Sequence, residues 1–212
     1  MSTDISTYQK DVLWRGPPRR GLDRVHFHCS RLGRAIRDRF LSNFICMLGY
    51  LAGPGMRPVG ILQTAALRLM GVRCAGSNIW IGPNVRIHYP ENLILGDRIT
   101  LAGDTHITAH APVEIGDDFL AAPGLYINTG THDLATLVPE SSPVVIGPGV
   151  WCGARVTLCA GVTIGAGAIV GAGSVVVRDL PGKHVSVGVP CKPVRDISTL
   201  RRDTTALWSN FH

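Results

Sequence analysis

The sequence predicts a parallel β-helix, and three observations carry that prediction. The clearest is a six-residue period, seen in Ile146-Gly-Pro-Gly-Val150-Trp, Cys152-Gly-Ala-Arg-Val156-Thr, Leu158-Cys-Ala-Gly-Val162-Thr, Ile164-Gly-Ala-Gly-Ala168-Ile and Val170-Gly-Ala-Gly-Ser174-Val. The first position is aliphatic or Cys, the second usually Gly, the fifth small or β-branched, which is the signature of stacked short strands. The second observation is composition: 25 Gly and 14 Pro, with 17% charged and 6% aromatic residues, favour many strands broken by turns over long helices. The third is a hydrophobic content of 45% in 212 residues, enough for one sizeable core and too high for a disordered chain.

Residues 1–30 are polar, basic and punctuated by Pro and Gly, and are expected to be irregular. Residues 31–72 read as helix in two pieces, split at Gly53-Pro54-Gly55 with a second break at Pro58. The apolar run Leu41–Ala52 is well short of the ~20 residues that span a bilayer, so it is expected to pack on the body of the protein.

From Cys74 the repeat takes over. Strand alternation puts Val162 and Ile164 on one face and Thr163 on the other, and Gly165-Ala166-Gly167 turns the chain before the next side. Three sides make an 18-residue coil, so Ile146 should lie over Ile164 and Cys152 over Val170. Upstream the register runs through Ile81, Ile87, Leu95, Leu101, Ile107, Ile115, Ala121, Ile127 and Ile146. The steps 87→95 and 107→115 are eight residues, which places two-residue bulges at Pro90-Glu91 and Ala111-Pro112. The step 127→146 leaves a loop extruded from the scaffold, 128–145, carrying Asn128-Thr-Gly-Thr-His132-Asp133. An irregular segment on so regular a frame is where chemistry is expected. The same alternation points Leu120, Tyr126, Trp151, Ile169 and Val175 outward, and exposed apolar rows usually meet a partner or a ligand. The expected division is therefore a basic arm and helical region over 1–72, a β-helix domain over 73–197 and a tail over 198–212.

The net charge of +6 is concentrated in residues 1–40, where nine Lys/Arg face four Asp. Two readings of this arm stand open: a solvated, partly helical arm, or one that touches an anionic membrane surface. Nucleic acid has no recognition motif or interleaved aromatics to support it. Six scattered Cys without a CxxC read as reduced, packed thiols. With no leader-like apolar segment after Met1, the expected compartment is the cytoplasm. Gly165-Ala-Gly-Ala-Ile-Val-Gly171 superficially resembles a dinucleotide fingerprint, but its last spacing is wrong and its glycines are coil corners.

The hexapeptide run, the His-bearing loop and the phrase Gly188-Val-Pro190-Cys191-Lys192-Pro-Val-Arg195 resemble the hexapeptide-repeat acyltransferases over about residues 70–197. Leu69-Met-Gly-Val, Tyr89-Pro-Glu-Asn-Leu-Ile-Leu-Gly-Asp97 and Gly130-Thr-His132-Asp133 are similar to the colanic-acid-type O-acetyltransferases, beside the galactoside, maltose and nodulation acetyltransferases. The resemblance implies a left-handed helix and a homotrimer with active sites between neighbouring subunits. It implies no bound cofactor, with acetyl-CoA as cosubstrate.

It also implies His132 as the general base that deprotonates an acceptor hydroxyl, a task suited to an imidazole of unperturbed pKa near 6.5. Asp133 is a candidate to orient that ring, but a residue adjacent in sequence often points away, and that is the favoured reading. The matching positions for acetyl-CoA are Gly153, Ala154 and Ala172 along the pantetheine, Trp151 at the thioester end, Val177 beside them, and Arg178, Lys192 and Arg195 near the phosphates. Ala154 replaces a frequent Ser and Val177 a frequent Thr, so two side-chain hydrogen bonds are lost. Asp104 sits where sugar acetyltransferases often carry an acceptor-binding Asn, and it binds acceptor or caps a coil corner; Asn128 and Asp133 are the other acceptor candidates.

The resulting expectation is an O-acetyltransferase of a sugar or glycan intermediate in polysaccharide biosynthesis. N-acetylation of an amino sugar, acylation of a small natural product and a non-catalytic scaffold are the alternatives. No metal site is expected from His106, His110 and His132, nor from His26 and His28, because paired-His ligand spacing is lacking.

Overall fold

A computed structural model describes residues 33, 36, 39–49 and 57–200 of the chain. The 1–30 arm with His26 and His28, the Gly53-Pro54-Gly55 split and residues 201–212 of the tail lie outside these. Residues 39–49 are helical (α1) and a second helix, α2, spans Arg57–Met70. Three short strands then recur as a unit: β1 to β3 over 73–88, β4 to β6 over 93–108, and β7 to β9 over 113–128. After a hairpin of β10 (Gly130–His132) and β11 (Pro139–Ser141), the triple returns as β12 to β14 over 144–158 and β15 to β17 over 163–176. The chain ends in β18 (His184–Val187) and β19 (Lys192–Asp196).

Corresponding strands stack in parallel to give the three walls of a prism, with orders β1-β4-β7-β12-β15, β2-β5-β8-β13-β16-β18-β19 and β3-β6-β9-β14-β17. The fold is the expected parallel β-helix. Its register is also the expected one: Ile81 pairs with Leu101, which pairs with Ala121, then Cys152, then Val170. Ile146 pairs with Ile164 and Leu158 with Val176. The two lengthened corners occur where the eight-residue steps put them, the first as a 3-10 turn over Pro90–Asn92.

Inward positions are apolar and sealed, including Ile81, Leu101, Ile107, Ile127, Leu158 and Val170. Stacking this close restricts the corners. A Cβ on Gly153 would lie 2.6 Å from the backbone nitrogen of Ala172 in the next coil, so only glycine fits there.

A solenoid must be closed at its ends. At the first coil α1 and α2 cover the open core with Ile45, Leu67 and Met70. The fully buried Gln63 pairs with the edge strand β2: its amide nitrogen donates to Ile81 O at 2.7 Å, and its amide oxygen accepts from Ile81 N at 3.1 Å. Gln63 thereby supplies the hydrogen bonds of a missing strand. At the other end β19 folds back antiparallel on β18.

One expectation about this cap is corrected. Pro58 sits in the first turn of α2, where its missing N–H has no partner to lose. The described part of the apolar 41–52 run packs on the body of the protein as expected, through one face: Ile45 and Gly49 are buried and Leu41 and Phe44 lie against the core, while Met47 points out. A helix turns its side chains through every direction, so an unbroken apolar run cannot be buried whole against one neighbour.

Candidate active site

The hairpin leaves the prism between β9 and β12. Its base is anchored by Thr129, whose buried hydroxyl accepts from Ala111 N at 2.8 Å and donates to Thr108 O at 3.2 Å. Asn128 Oδ1 accepts from Gly130 N at 3.0 Å. Pairing of Gly130 with Ser141, Thr131 with Glu140 and His132 with Pro139 forms the rungs. His132 stands at the far end of β10 with its side chain exposed.

Its Nδ1 lies 2.9 Å from Leu137 O. A carbonyl can only accept, so Nδ1 carries the hydrogen and Nε2 presents its lone pair. The ring is thus held by a backbone carbonyl, as an oriented neutral base requires.

Asp133 does not orient the ring, as expected of it above. Its Oδ1 instead accepts from Thr136 Oγ1 and Thr136 N, both at 2.7 Å, and from Ala135 N at 3.1 Å. These bonds, the Thr136 hydroxyl foremost, hold its carboxyl below the ordinary range. Asp133 builds the turn that brings Leu137 O to the imidazole. An Asp with donors two and three residues ahead prefers such a local turn to a cross-chain contact.

The other candidates divide between the edges of the prism. Trp151 opens β13 with its indole outward, in register with Leu120 and Ile169. Gly153, Ala154 and Ala172 occupy the corner that follows β13 and β16, where Gly173 N donates to Ala154 O at 2.8 Å. Gly153 itself is buried, whereas Ala172 is exposed and Ala154 partly so. Exposed Val177 and Arg178 follow β17 on the next corner, the edge from which the hairpin springs. Lys192 and Arg195 are exposed on β19, opposite Val187 and Val185. Within one chain, therefore, His132 and Arg178 share one edge while Trp151, Ala154 and Ala172 belong to another wall and corner.

Asp104 is an exposed corner residue with φ +60, its Oδ1 accepting from Asn84 Nδ2 at 3.2 Å. This bond is a contact between coil corners, and the exposed carboxylate stands open to an acceptor as well.

A cluster that sequence reading missed lies on the outer face of the β3-β6-β9 wall. His106 stacks between His88 (5.0 Å) and Tyr126 (5.1 Å), and the buried His106 Nε2 has no hydrogen-bond partner. Burial first, then the charges of His88 and Arg86, lower its pKa. The signal was present in the twenty-residue register Arg86, His106, Tyr126. His110 packs on Tyr89 at 4.6 Å and against Gly130 at the hairpin base.

Among the described residues no three His, Cys, Asp or Glu side chains are grouped to hold a metal ion. Four of the described thiols are disfavoured as thiolate nucleophiles: burial pushes Cys152 up to about 12 and Cys74 up to about 11, and also raises Cys159 and Cys191.

Residues 143–178 match the family described as bacterial transferase hexapeptide (six repeats). The chain is 36% identical over 132 residues to a protein of Escherichia coli K12 named as a colanic acid biosynthesis acetyltransferase, WcaF, covering 61% of this chain and 72% of that one. The chain belongs to the hexapeptide-repeat acyltransferase family. Another family member, galactoside O-acetyltransferase of the same organism, is 34% identical over 128 residues, 58% of this chain and 63% of the relative. A solved structure of a galactoside acetyltransferase in complex with coenzyme A superposes with a TM-score of 0.66 at 27% identity, over 78% of this chain and 82% of that one. The fold of this hexapeptide-repeat protein is thus also that of a protein seen with coenzyme A.

Proposed function

We propose that the protein is an acetyl-CoA-dependent O-acetyltransferase acting on a hydroxyl of a sugar or glycan intermediate in polysaccharide biosynthesis. The observation that carries this is His132, whose Nδ1–H is tied to Leu137 O so that Nε2 presents a lone pair on an exposed hairpin. Nε2 takes the proton of the acceptor hydroxyl as its oxygen attacks the thioester carbonyl. The tetrahedral intermediate collapses by breaking the C–S bond, and the departing thiolate takes the proton back from the imidazolium. Ester and free CoA result, with no enzyme nucleophile needed, in keeping with the raised thiol pKa values.

The relatives' names support a sugar acceptor. The coenzyme A complex of a structural neighbour supports the donor. Acetyl-CoA would run past Trp151, Ala154, Ala172 and Val177, with Arg178, Lys192 and Arg195 toward its phosphates.

A homotrimer completes the site in this reading. It is supported by the division of His132 and Trp151 between different parts of the prism. It is supported too by the hairpin tip, where Leu134 is 97% exposed beside exposed Leu137 and Val138, an apolar tip suited to a neighbouring subunit. The cytoplasm, where acetyl-CoA is made available, is the proposed compartment, and contact of the basic arm with a membrane surface belongs to the same reading.

Calorimetric titration of acetyl-CoA tests the assignment. Saturable micromolar binding, abolished by Trp151→Ala with Lys192→Ala, is expected. Absence of binding by the parent protein at millimolar acetyl-CoA overturns the proposed donor.

A further inference from the structure

The cap helices are apolar on their outer faces as well as on the inner ones that cover the core. In α1 the exposed positions are 39, 40, 43 and 47, and the helical residues Gly33 and Ile36 that are described ahead of it are exposed too; 36, 40, 43 and 47 follow the spacing of three and four that marks one helical face. That face carries Ile36, Phe40 (71% exposed) and Met47. In α2 the exposed stripe is Pro58, Ile61, Leu62, Ala65, Arg68 and Leu69 (65% exposed). The side facing the protein meanwhile contains the polar Gln63 and Thr64, both fully hydrogen-bonded. A helix on a water-exposed surface normally turns a polar or charged stripe outward.

The stretch of sequence that carries the helices is cationic: between Asp38 and Glu91 there is no acidic residue, while Arg39, Arg57, Arg68, Arg73 and Arg86 fall in that interval, and residues 1–40 add their own excess of nine Lys/Arg over four Asp. Glu91 lies against Gly71 at the far end of α2, away from Phe40 in sequence and on the side of the first coil. No described helix is long and apolar enough to cross a membrane.

We propose that the outer faces of α1 and α2 dock on an anionic lipid surface, inserting Phe40, Leu62 and Leu69 at the level of the headgroups while exposed Arg39 and the basic arm meet lipid phosphates. Apolar side chains combined with an excess of cations complement an anionic bilayer. A second copy of the same face would instead bring like charges together. The acetyltransferase reading is not needed for this inference. It does build on the membrane contact proposed for the basic arm, and adds to that electrostatic contact an apolar one.

The test is co-sedimentation of the full chain with vesicles of phosphatidylcholine containing 30% phosphatidylglycerol. It compares the parent with a Phe40→Ser, Leu62→Ser, Leu69→Ser variant, which leaves every charge in place. Binding by the parent, weakened at least tenfold in the triple variant, is the expected result. Equal binding by both overturns docking through this face while leaving the arm's electrostatic contact standing; no binding by the parent overturns both. A smaller assembly of the triple variant in lipid-free sedimentation velocity assigns the face to another copy of the chain and overturns the proposal. An unchanged far-UV spectrum confirms that the variant is folded.

Discussion

Replacing His132 by Asn separates two roles that replacement by Ala removes together. The Asn amide nitrogen reaches roughly the position of Nδ1 and can still donate to Leu137 O, where the parent bond is 2.9 Å. It offers no basic nitrogen at the position of Nε2. If His132 is the general base, both variants lose turnover by a factor of about 10²–10⁴, equivalent to roughly 2.7–5.4 kcal/mol of transition-state stabilisation at about 1.36 kcal/mol per decade. Folding stability changes by less than about 1 kcal/mol, because the ring is exposed and water replaces it at the Leu137 carbonyl. The assay is release of free CoA thiol with acetyl-CoA and a panel of galactosides, glucosides and oligosaccharides, with calorimetric binding of acetyl-CoA as control. Binding should be unchanged in both variants. Turnover of the Asn variant within threefold of the parent, with the Ala variant inactive, would refute base catalysis and leave His132 as a structural clasp on the hairpin.

Gly153→Ala places a methyl 2.6 Å from Ala172 N and 3.0 Å from Ala172 Cα; overpacking against backbone costs about 1–3 kcal/mol. Its melting temperature should fall by roughly 2–10 °C and acetyl-CoA affinity with it, whereas an unchanged melting curve contradicts the close stacking. His106 has a folded-state pKa below its unfolded value, so on acidification the unfolded chain takes up the proton first. Stability should be intact above about pH 6.5 and be lost below it. Between pH 7.5 and 5.5 the parent should therefore lose more in melting temperature than His106→Asn, and parallel losses would show that His106 is not the titrating group. Refolding a 1:1 mixture of His132→Asn and Ala172→Trp chains, each inactive alone, should restore about a quarter of parental activity if each site draws on two subunits; a mixture that stays inactive argues for a site within one chain.

The wall of the molecule is legible in the sequence because a stacked coil makes the same demand every six residues. Once Ile146 is placed over Ile164, the position of Ile81 over Leu101 follows by counting, and the two eight-residue steps locate the swollen corners. Handedness does not follow from the count, since inward and outward alternation is the same for either hand; it came from the resemblance alone. The hairpin is legible as an interruption, and His132 as its one basic side chain. What holds His132 is not legible, because Leu137 contributes a main-chain carbonyl that every residue type possesses. That Asp133 turns away is legible, because a carboxylate next to a ring in sequence reaches its own following N–H groups first. Gln63 was missed because a polar residue in a helix reads as surface until the strand edge it satisfies is known.

The choice of a carbonyl partner has a chemical consequence. A carbonyl on Nδ1 fixes the tautomer that leaves Nε2 as the acceptor nitrogen, and does so without adding a charge beside the ring. Asp133, though adjacent, is kept from that role by three bonds to Thr136 and Ala135, which turn its charge into the turn. The wall does hold one ring in the same way, His184, whose Nδ1 lies 2.8 Å from Gly182 O. The hairpin over 130–141, where this chain departs from its period, instead carries the oriented ring out from the wall on an exposed strand end.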